Sequence, residues 1–521
     1  MDFMIDPNAR GSAAPPLPRR RKELPKGPSM HIALHLDSKS KMNLQMQIYE
    51  QLAALIRERR LKAGGVLPSS RDLSKQLGVS RNTVSEAYEK LVADGYINTA
   101  PARGTFVSKT VPEDAMSTGA RQRLERSDPM TAINLPLPYT GRGSPGLYAP
   151  PDAQIRIDFR FGRSDAQSFP EKTWRRLLLE CFGGASERIS QYNDPAGLPE
   201  LRQLIASYLG PSRGMSVTAE QTIIVGGFQQ GINLAAHLMV GVNTPVVMEA
   251  PCYRGAAFLF ETYGGRVIPV PVDEFGIDVN RLPNHRVKFI YVTPSHQFPT
   301  GGTMSLDRRM ALLDWAATNG AYILEVDYDS DFRYEGSLLP SLQSLDRNNC
   351  VIYLNSFSRS LGPGLRLGYM VVPRDLLHAA TTLKALIDNG SPWLEQATLA
   401  QFIRNGSLAS HLKRLRGTYQ VRRDAVKSAI TKHFGEAIVF GDAGGTHMLW
   451  ELPTACPPAL ELEQKARAAG VGIHPLQSRT VLHEDALPGF QRRVLLGYVH
   501  LTPDQIEEGF ARIANALAND S

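Results

Sequence analysis

The chain of 521 residues has few cysteines and no long apolar runs, and these absences exclude several classes of protein. Its four cysteines are far apart and form no Cys-x-x-Cys pair: Cys181, Cys252, Cys350 and Cys456. They therefore predict neither a disulfide framework nor a metal site, and free thiols are typical of a reducing cytoplasm. No apolar stretch approaches the 18 residues of a membrane span, and no apolar core of a secretory signal precedes residue 30. We therefore expect a cytoplasmic protein with no membrane partner.

Positive charge is concentrated in the N-terminal fifth of the chain. Residues 1–110 contain 18 Lys and Arg against 10 Asp and Glu, whereas the remaining residues contain 40 against 41. The net charge of +7 therefore arises wholly in the N-terminal part. A basic module attached to a neutral body is typical of proteins that bind nucleic acid. A basic surface without a specific partner is the alternative that charge alone leaves open.

Two segments show no periodic spacing of apolar residues. The length of the chain leaves room for two or three domains outside these segments. Residues 1–28 are rich in proline and contain the basic run Arg19–Lys22, which predicts a disordered basic arm. Residues 111–154 scatter proline among serine, glycine and arginine. A segment of this length is too long for a loop inside a compact domain, so we predict a linker.

Residues 43–110 carry three helical patterns followed by two short β patterns. Ser69 precedes the second helical pattern with Asp72 three residues later, which is a capping-box arrangement. Ser80 begins the third pattern, which ends at Gly95. Helix, helix, turn, helix and hairpin together predict a winged helix-turn-helix, although a helical module that binds protein is the bland alternative. The segment 67–107 resembles the GntR class of DNA-binding domains.

The predicted DNA contacts lie at the starts of two helices and in the wing. Arg81, Asn82, Thr83 and Ser85 occupy the exposed start of the third helix, and such side chains read bases or hold phosphates. The resemblance implies that Arg71 contacts phosphate, that 81–85 enter the major groove and that Arg103 and Gly104 form the wing tip. The complete predicted set is Ser70, Arg71, Ser80, Arg81, Asn82, Thr83, Ser85, Arg103, Gly104 and Thr105.

From residue 155 onward, apolar strand patterns alternate with helical patterns, which predicts an α/β domain over 155–521. The predicted strands are 222–225, 245–248, 266–269, 289–292, 322–326 and 351–354. The predicted helices are 174–181, 197–209, 229–239, 253–263, 306–318, 394–405 and 502–517. A smaller C-terminal lobe is expected from about residue 410.

An ordered set of motifs in this region resembles the effector domain of the MocR/GabR subfamily of GntR regulators. The motifs are YNDPAGLPELRQLIASYL (192–209), GGFQQGI (226–232), EAPCYRGA (249–256), TPSHQFPTGGTMSLDRR (293–309), VDYDSDFRY (326–334), SFSRSLGPGLRLGY (356–369) and LLGYVHLTPDQIEEGF (495–510). The resemblance implies a fold-type I, pyridoxal-phosphate (PLP)-dependent aminotransferase-like domain with a large, mostly parallel sheet. It also implies a head-to-tail homodimer.

Three positions depart from the pattern of the family. Arg359 stands where the family has the lysine that forms a Schiff base with PLP. An arginine stays protonated and has no free amine lone pair, so it cannot form the aldimine. Phe228 replaces a small hydroxyl residue that would help to hold the cofactor phosphate, and Val326 stands where a carboxylate would face the pyridine nitrogen. We therefore expect no covalent PLP.

Other positions of the pattern survive and predict a pocket that still accepts an anion. The predicted cofactor or effector residues are Gln229, Tyr253, Asp327, Tyr328, Ser356, Ser358, Arg359 and Arg366. Asp327 is one residue away from the position of the carboxylate, and in a strand its side chain would point to the other face. Leu495 lies near the expected position of the arginine that binds the substrate carboxylate, and Arg492 and Arg493 lie just upstream as alternatives.

We predict a DNA-binding transcriptional regulator whose aminotransferase-like domain senses a small molecule, with an amino-acid-like or phosphate-bearing effector as a possibility. The second hypothesis is an active aminotransferase with an attached DNA-binding domain. The third is a regulator that holds PLP noncovalently through Arg359 and Arg366. The predicted partners are promoter DNA, the effector and a second copy of the chain.

Overall fold

A computed structural model describes residues 31–37, 40, 42–100, 104–109, 111, 152–283, 287–336, 340–477 and 480–518. The predicted arm 1–28 and most of the predicted linker 111–154 lie outside the described residues. The chain divides into two compact units, Met1–Pro136 and Leu137–Ser521. No helix in the described ranges is long and apolar enough to cross a membrane.

The N-terminal unit is a winged helix-turn-helix, as predicted. Its elements are α1 (Leu44–Arg57), β1 (Val66–Leu67), α2 (Ser70–Leu77), α3 (Arg81–Ala93), β2 (Ile97–Ala100) and β3 (Gly104–Val107). The strands form an antiparallel sheet in the order β1-β3-β2. The sequence patterns missed β1, because two residues are too few to show a period.

Local hydrogen bonds explain where the helices of this unit begin and end. The Ser69 hydroxyl accepts a hydrogen bond from the Asp72 backbone and donates one to the Asp72 carboxylate, which confirms the predicted cap. Gly78 ends α2 at φ 68°, in the left-handed region that favours glycine. The unit also begins earlier than predicted, because Ile32 is buried in its core and the Gln47 side chain bonds to the backbone of Asp37.

The C-terminal unit alternates helices with strands. Its helices are α4 (Glu171–Phe182), α5 (Ser186–Ile189), α6 (Pro199–Arg213), α7 (Phe228–Met239), α8 (Arg254–Thr262), α9 (Leu306–Asn319), α10 (Leu342–Leu345), α11 (Leu377–Asp388), α12 (Trp393–Arg404), α13 (Ser407–Phe434), α14 (Ala459–Ala468) and α15 (Pro503–Ala518). Its strands are β4 (Ile157–Asp158), β5 (Thr222–Val225), β6 (Pro245–Ala250), β7 (Cys252–Tyr253), β8 (Arg266–Asp273), β9 (Gly276–Ile277), β10 (Phe289–Val292), β11 (Tyr322–Val326), β12 (Val351–Ser356), β13 (Gly368–Val371), β14 (Val439–Phe440), β15 (His447–Glu451), β16 (Val471–Gly472), β17 (His474–Pro475), β18 (Val481–Leu482) and β19 (Arg493–Gly497).

The eight-stranded sheet of this unit has the order β5-β13-β12-β11-β10-β6-β8-β9. The neighbours from β12 to β8 are parallel, whereas β13 is antiparallel to both β12 and β5. This confirms the predicted mostly parallel sheet. The antiparallel strand β13 was not predicted, because its residues belong to a motif that was interpreted as a loop.

The central strands are apolar on both faces because helices cover the sheet on both sides. Every residue of β5, β10, β12 and β13 is buried. A second, four-stranded sheet in the order β14-β15-β19-β17 follows the 28-residue helix α13. The parallel strands β6, β10, β11 and β12 end at one edge of the large sheet, where ligands bind in open α/β folds.

The core of the N-terminal unit gives a first prediction. Leu91 on α3 is fully buried, whereas its neighbour Val92 is 38% exposed. We expect Leu91→Ala to lower the free energy of opening of α3 by about 2–5 kcal/mol, because the substitution leaves a cavity. Hydrogen exchange of the α3 amides in the full-length protein, measured by mass spectrometry, checks this. Val92→Ala is the matched control, and equal exchange in the two variants would contradict the predicted core.

Candidate functional sites

The first site is formed by the starts of α2 and α3 in the N-terminal unit. Ser80 caps α3, since its hydroxyl oxygen accepts a hydrogen bond from the Thr83 backbone at 3.1 Å. Arg71, Arg81 and Asn82 are exposed, and the Arg81 Nε lies 3.4 Å from the Ser70 hydroxyl oxygen. The structure therefore brings most of the predicted DNA-contacting residues together on consecutive helix starts. Thr83, Ser85 and Ser70 are partly buried beside them.

The wing is formed by the hairpin of β2 and β3. Gly104 has φ 101° and pairs with Ala100, and a Cβ built at Gly104 would meet no atom within 4 Å. The conformation, and not crowding, therefore favours glycine at this position. Thr105 pairs with both Thr99 and Leu67. The predicted wing residue Arg103 lies outside the described residues.

The second site lies at the carboxyl edge of the large sheet. Arg359 follows β12, and its Nε lies 3.8 Å from Oδ1 of the fully buried Asp329 carboxylate. The Tyr328 hydroxyl donates a hydrogen bond to the His296 carbonyl at 2.8 Å, and its ring is parallel to that of His447, with ring centroids 6.2 Å apart. Burial raises the pKa of Tyr253 to about 12, although the nearby charge of Arg359 acts in the opposite direction. Arg359, Tyr253 and Tyr328 are thus neighbours, and the region around them at the carboxyl edge of the sheet is called the pocket below.

The start of α7 borders this pocket, and the Arg366 side chain lies against the two residues that precede α7, Gly226 and Gly227. The Arg366 guanidinium donates hydrogen bonds to the Gly226 and Pro363 carbonyls. Gly227 has φ 80°, in the region that favours glycine, and a Cβ built there would lie 2.9 Å from the flexible end of the Arg366 side chain. The Gln230 side chain accepts a hydrogen bond from the Gly226 backbone at 2.5 Å. The predicted site residue Gln229 precedes it on α7 and is partly buried.

Ser356 and Ser358 follow the carboxyl end of β12. Ser356 is its last residue and pairs with Gly368 of β13. Ser358 lies in the turn that leads to Arg359 and is partly buried. Both serines therefore lie on the segment that carries Arg359, and their contact with an effector stays a prediction.

The structure does not bring Asp327 into this group. Its carboxylate accepts hydrogen bonds from the Arg213 Nε at 3.1 Å and from the Tyr353 hydroxyl at 2.5 Å. Val326, the preceding residue, packs in the same apolar cluster as Tyr253 and Tyr328. Adjacent residues of an extended segment point to opposite faces, so the side chain of Asp327 points away from that of Val326. Asp327 forms an internal ion pair with Arg213, and its inclusion among the effector residues therefore needs correction.

One side of the pocket is apolar. An apolar cluster lies there, and its buried members are Phe298, Leu449, Leu476, Val481 and Leu495. Phe161, Tyr253 and Tyr328 pack against them, and Phe228 lies with its ring 6.3 Å from that of Tyr253. Sequence reasoning missed Phe298, His296, Asp329 and His447, although the first three lie within motifs that it had identified.

The buried carboxylic acid of Glu249, on β6 below the pocket, gives a second prediction. Burial raises its pKa from 4.5 to about 7, although Thr293 donates hydrogen bonds to it from its hydroxyl and backbone. Between these values the folded chain keeps a proton that the unfolded chain has released. The contribution of Glu249 to the free energy of unfolding therefore falls as pH rises from 4.5 to 7.

Glu249→Gln removes this proton and its pH dependence. We expect the stability of the wild type relative to the variant to fall by up to about 1.4 kcal/mol per pH unit within that window. Urea unfolding followed by tryptophan fluorescence measures it, since all four tryptophans lie in the C-terminal unit: Trp174, Trp315, Trp393 and Trp450. Parallel stability curves for the two proteins would show that Glu249 is ionised in the folded state.

Comparison with known proteins assigns both units. The family of bacterial regulatory proteins of the gntR family matches residues 44–107, and the aminotransferase class I and II family matches residues 162–513. The chain is 34% identical over 494 residues to the probable rhizopine catabolism regulatory protein MocR of Rhizobium meliloti, covering 93% of this chain and 96% of MocR. It is 33% identical over 480 residues to the uncharacterized HTH-type transcriptional regulator YdeL of Bacillus subtilis, covering 91% and 97% of the two chains.

The C-terminal unit is also similar to a solved enzyme structure. The kynurenine aminotransferase of Pyrococcus horikoshii aligns with a TM-score of 0.63 and 27% identity, over 71% of this chain and 92% of the enzyme. This likeness confirms the predicted fold-type I architecture. The chain therefore belongs to the MocR-type regulators, in which a GntR-type DNA-binding domain is fused to an aminotransferase class I and II domain.

Proposed function

We propose that this protein is a transcriptional regulator that binds promoter DNA through α2, α3 and the wing and senses a small molecule in its aminotransferase-like domain. The observation that carries the proposal is the exposed start of α3, where Arg81 and Asn82 stand free of the core within a GntR-matching domain. The regulators MocR and YdeL align with 93% and 91% of this chain, a span that includes both of its domains. Because promoter DNA lies in the bacterial cytoplasm, we propose that the protein is cytoplasmic.

Removing Arg81 tests the DNA-binding part of this proposal. We expect Arg81→Ala to weaken operator binding by about 1–3 kcal/mol, as for an arginine that contacts a base in two places. The measurement is a gel-shift titration on an operator selected from random DNA by the wild-type protein. Arg60→Ala, which removes an exposed charge beyond the end of α1, controls for the loss of charge. Equal affinity of the wild type and Arg81→Ala would remove Arg81 from the recognition surface.

We further propose that Arg359 occupies the position of the aldimine-forming lysine and that the domain does not hold PLP covalently. A guanidinium has no unprotonated amine to attack an aldehyde. Bound PLP would supply an electron sink for amino-acid chemistry, and a carboxylate must keep the pyridine ring protonated for that purpose. Val326, packed among apolar side chains, offers no carboxylate there, and Asp327 is engaged by Arg213. Arg359, Val326 and Asp327 therefore provide neither the amine nor the carboxylate that catalysis with PLP requires.

Two further features support the loss of transamination. Phe228 is the first residue of α7, where a hydroxyl side chain would help to bind a phosphate. Leu495 is fully buried in the apolar cluster of the pocket, so it leaves the expected site of a substrate carboxylate without a positive charge. We therefore propose a sensor without aminotransferase activity, whose effector acts by binding one conformation of the protein better than another.

We also propose that the regulator is a homodimer. Large apolar side chains of α4, α5 and α11 and of the segment after α5 are exposed in the single chain: Leu179 at 61%, Phe182 at 55%, Ile189 at 60%, Tyr192 at 88% and Leu386 at 80%. Asn193 lies against Gly390, which brings the segment after α5 and the end of α11 together. An exposed apolar surface of this kind is typical of an interface between protein chains.

The cofactor proposal predicts the behaviour of Arg359→Lys. The single variant should not gain tight PLP binding, because Phe228 and Val326 remain. After incubation with PLP and borohydride, neither the wild type nor the variant should carry a reduced PLP adduct in native mass spectrometry. The same spectra report the number of subunits. A yellow variant with a trapped adduct would contradict the expected effect of Phe228 and Val326, whereas a trapped adduct on the wild type, or transamination by it, would overturn the proposed loss of covalent PLP.

A further inference from the structure

Three potential metal ligands from distant parts of the chain meet beside the pocket. His296 follows β10, Asp329 follows β11, and His447 is the first residue of β15. One ligand atom of each lies within 4.8 Å of the others, and the three residues are at most 5% exposed. The two imidazole rings are nearly perpendicular, with centroids 4.7 Å apart. The fold therefore brings two imidazole groups and one carboxylate close together in the protein interior.

The two histidines have unused ring nitrogens. Among the described residues, neither the His296 Nε2 nor the His447 Nε2 has a hydrogen-bond partner, and both atoms are buried. Buried polar atoms are nearly always paired, so two orphaned nitrogens in one cluster require a ligand or ordered water.

The surroundings hold two of the three side chains in place. Thr446 donates hydrogen bonds to the Asp329 carboxylate from both its backbone nitrogen and its hydroxyl, each at 3.0 Å. Such outer contacts orient metal-binding carboxylates. The His296 ring packs against Gly445, where an added Cβ would come within 2.4 Å of the ring. The ring position therefore depends on the absence of a side chain at residue 445.

We propose that His296, Asp329 and His447 bind a divalent first-row transition-metal ion and that this ion is the effector of the regulator. Two imidazoles and one carboxylate suit Zn²⁺, Co²⁺, Ni²⁺ or Fe²⁺, and they leave coordination positions open for water. The inference rests on the proposed function only in assigning the ion as effector. The site itself stands on the geometry of the three side chains.

Arg359 competes with the ion for the same carboxylate. Its Nε lies 3.8 Å from the Asp329 Oδ1, whereas the other oxygen, Oδ2, lies 3.7 Å from the His447 Nδ1. The Arg359 side chain is 20% exposed, so it can move outward when a divalent ion repels it. Arg333 adds a second nearby positive charge, which acts on His296. Metal occupancy is thereby coupled to the turn that follows β12, because that turn carries Arg359.

The experiment uses full-length protein from which metals have been removed by a chelator. Equilibrium dialysis against Co²⁺ or Zn²⁺ measures stoichiometry and affinity, and the visible spectrum of bound Co²⁺ reports its ligands. We expect one ion per chain, with affinity at least about 10-fold lower in Asp329→Asn and His447→Ala. His378→Ala, which removes an exposed histidine, is the matched control and should bind like the wild type.

Arg359→Gln provides a test that a misfolded variant cannot imitate. It removes the competing charge and leaves all three ligands, so we expect tighter Co²⁺ binding than in the wild type. No Co²⁺ or Zn²⁺ uptake by the wild type, or uptake that Asp329→Asn and Arg359→Gln leave unchanged, would overturn the site. Operator binding measured in parallel separates the two proposals. Metal binding without operator binding would contradict only the proposed regulator, and operator affinity that metal leaves unchanged would refute the ion as effector.

Discussion

The contact between the Arg359 guanidinium and the buried Asp329 carboxylate determines what the C-terminal domain can do. A buried carboxylate is costly unless a positive charge or hydrogen bonds compensate it. Here Thr446 supplies the hydrogen bonds and Arg359 supplies the charge, with the two charged groups 3.8 Å apart. The positive charge is permanent, because a guanidinium keeps its proton at any ordinary pH. In the proposed function, this group, which attracts anions and repels cations, takes the place of a reactive amine.

The rest of the pocket agrees with this replacement. The large sheet has the architecture of aminotransferases, and the loops that follow its strands β6, β10, β11 and β12 lie at one edge of the sheet. The proposed loss of amino-acid chemistry on PLP rests on the side chains of those loops, which include Arg359 and lack a carboxylate at Val326. Apolar residues such as Phe298 and Leu495 cover one side, and Arg366 donates to backbone carbonyls beside α7. Conservation of a fold with altered site chemistry is a common route to a new function.

The sequence predicted most of the elements because their signals are local. The Ser69–Asp72 cap, the apolar period of α3 and the buried runs of β10 and β12 each depend on neighbours within a few residues. The antiparallel strand β13 was missed, because its sequence GYMV follows a proline- and glycine-rich turn and carries no sign of strand direction. The packing of Ile32 into the N-terminal core was missed for a related reason, since a short extended segment has no period of its own.

The sequence by itself determined the chemistry available at residue 359, since the identity of a side chain decides whether it can act as an amine. It also determined the division into a basic DNA-binding module and a larger α/β domain, through charge and periodicity. Only the tertiary structure decided which groups face each other. Asp327 turned toward Arg213, and His296, Asp329 and His447 met beside the pocket, because strand register and sheet order bring together residues that are far apart in the chain. Contacts of that kind depend on long-range packing, and no local pattern encodes them.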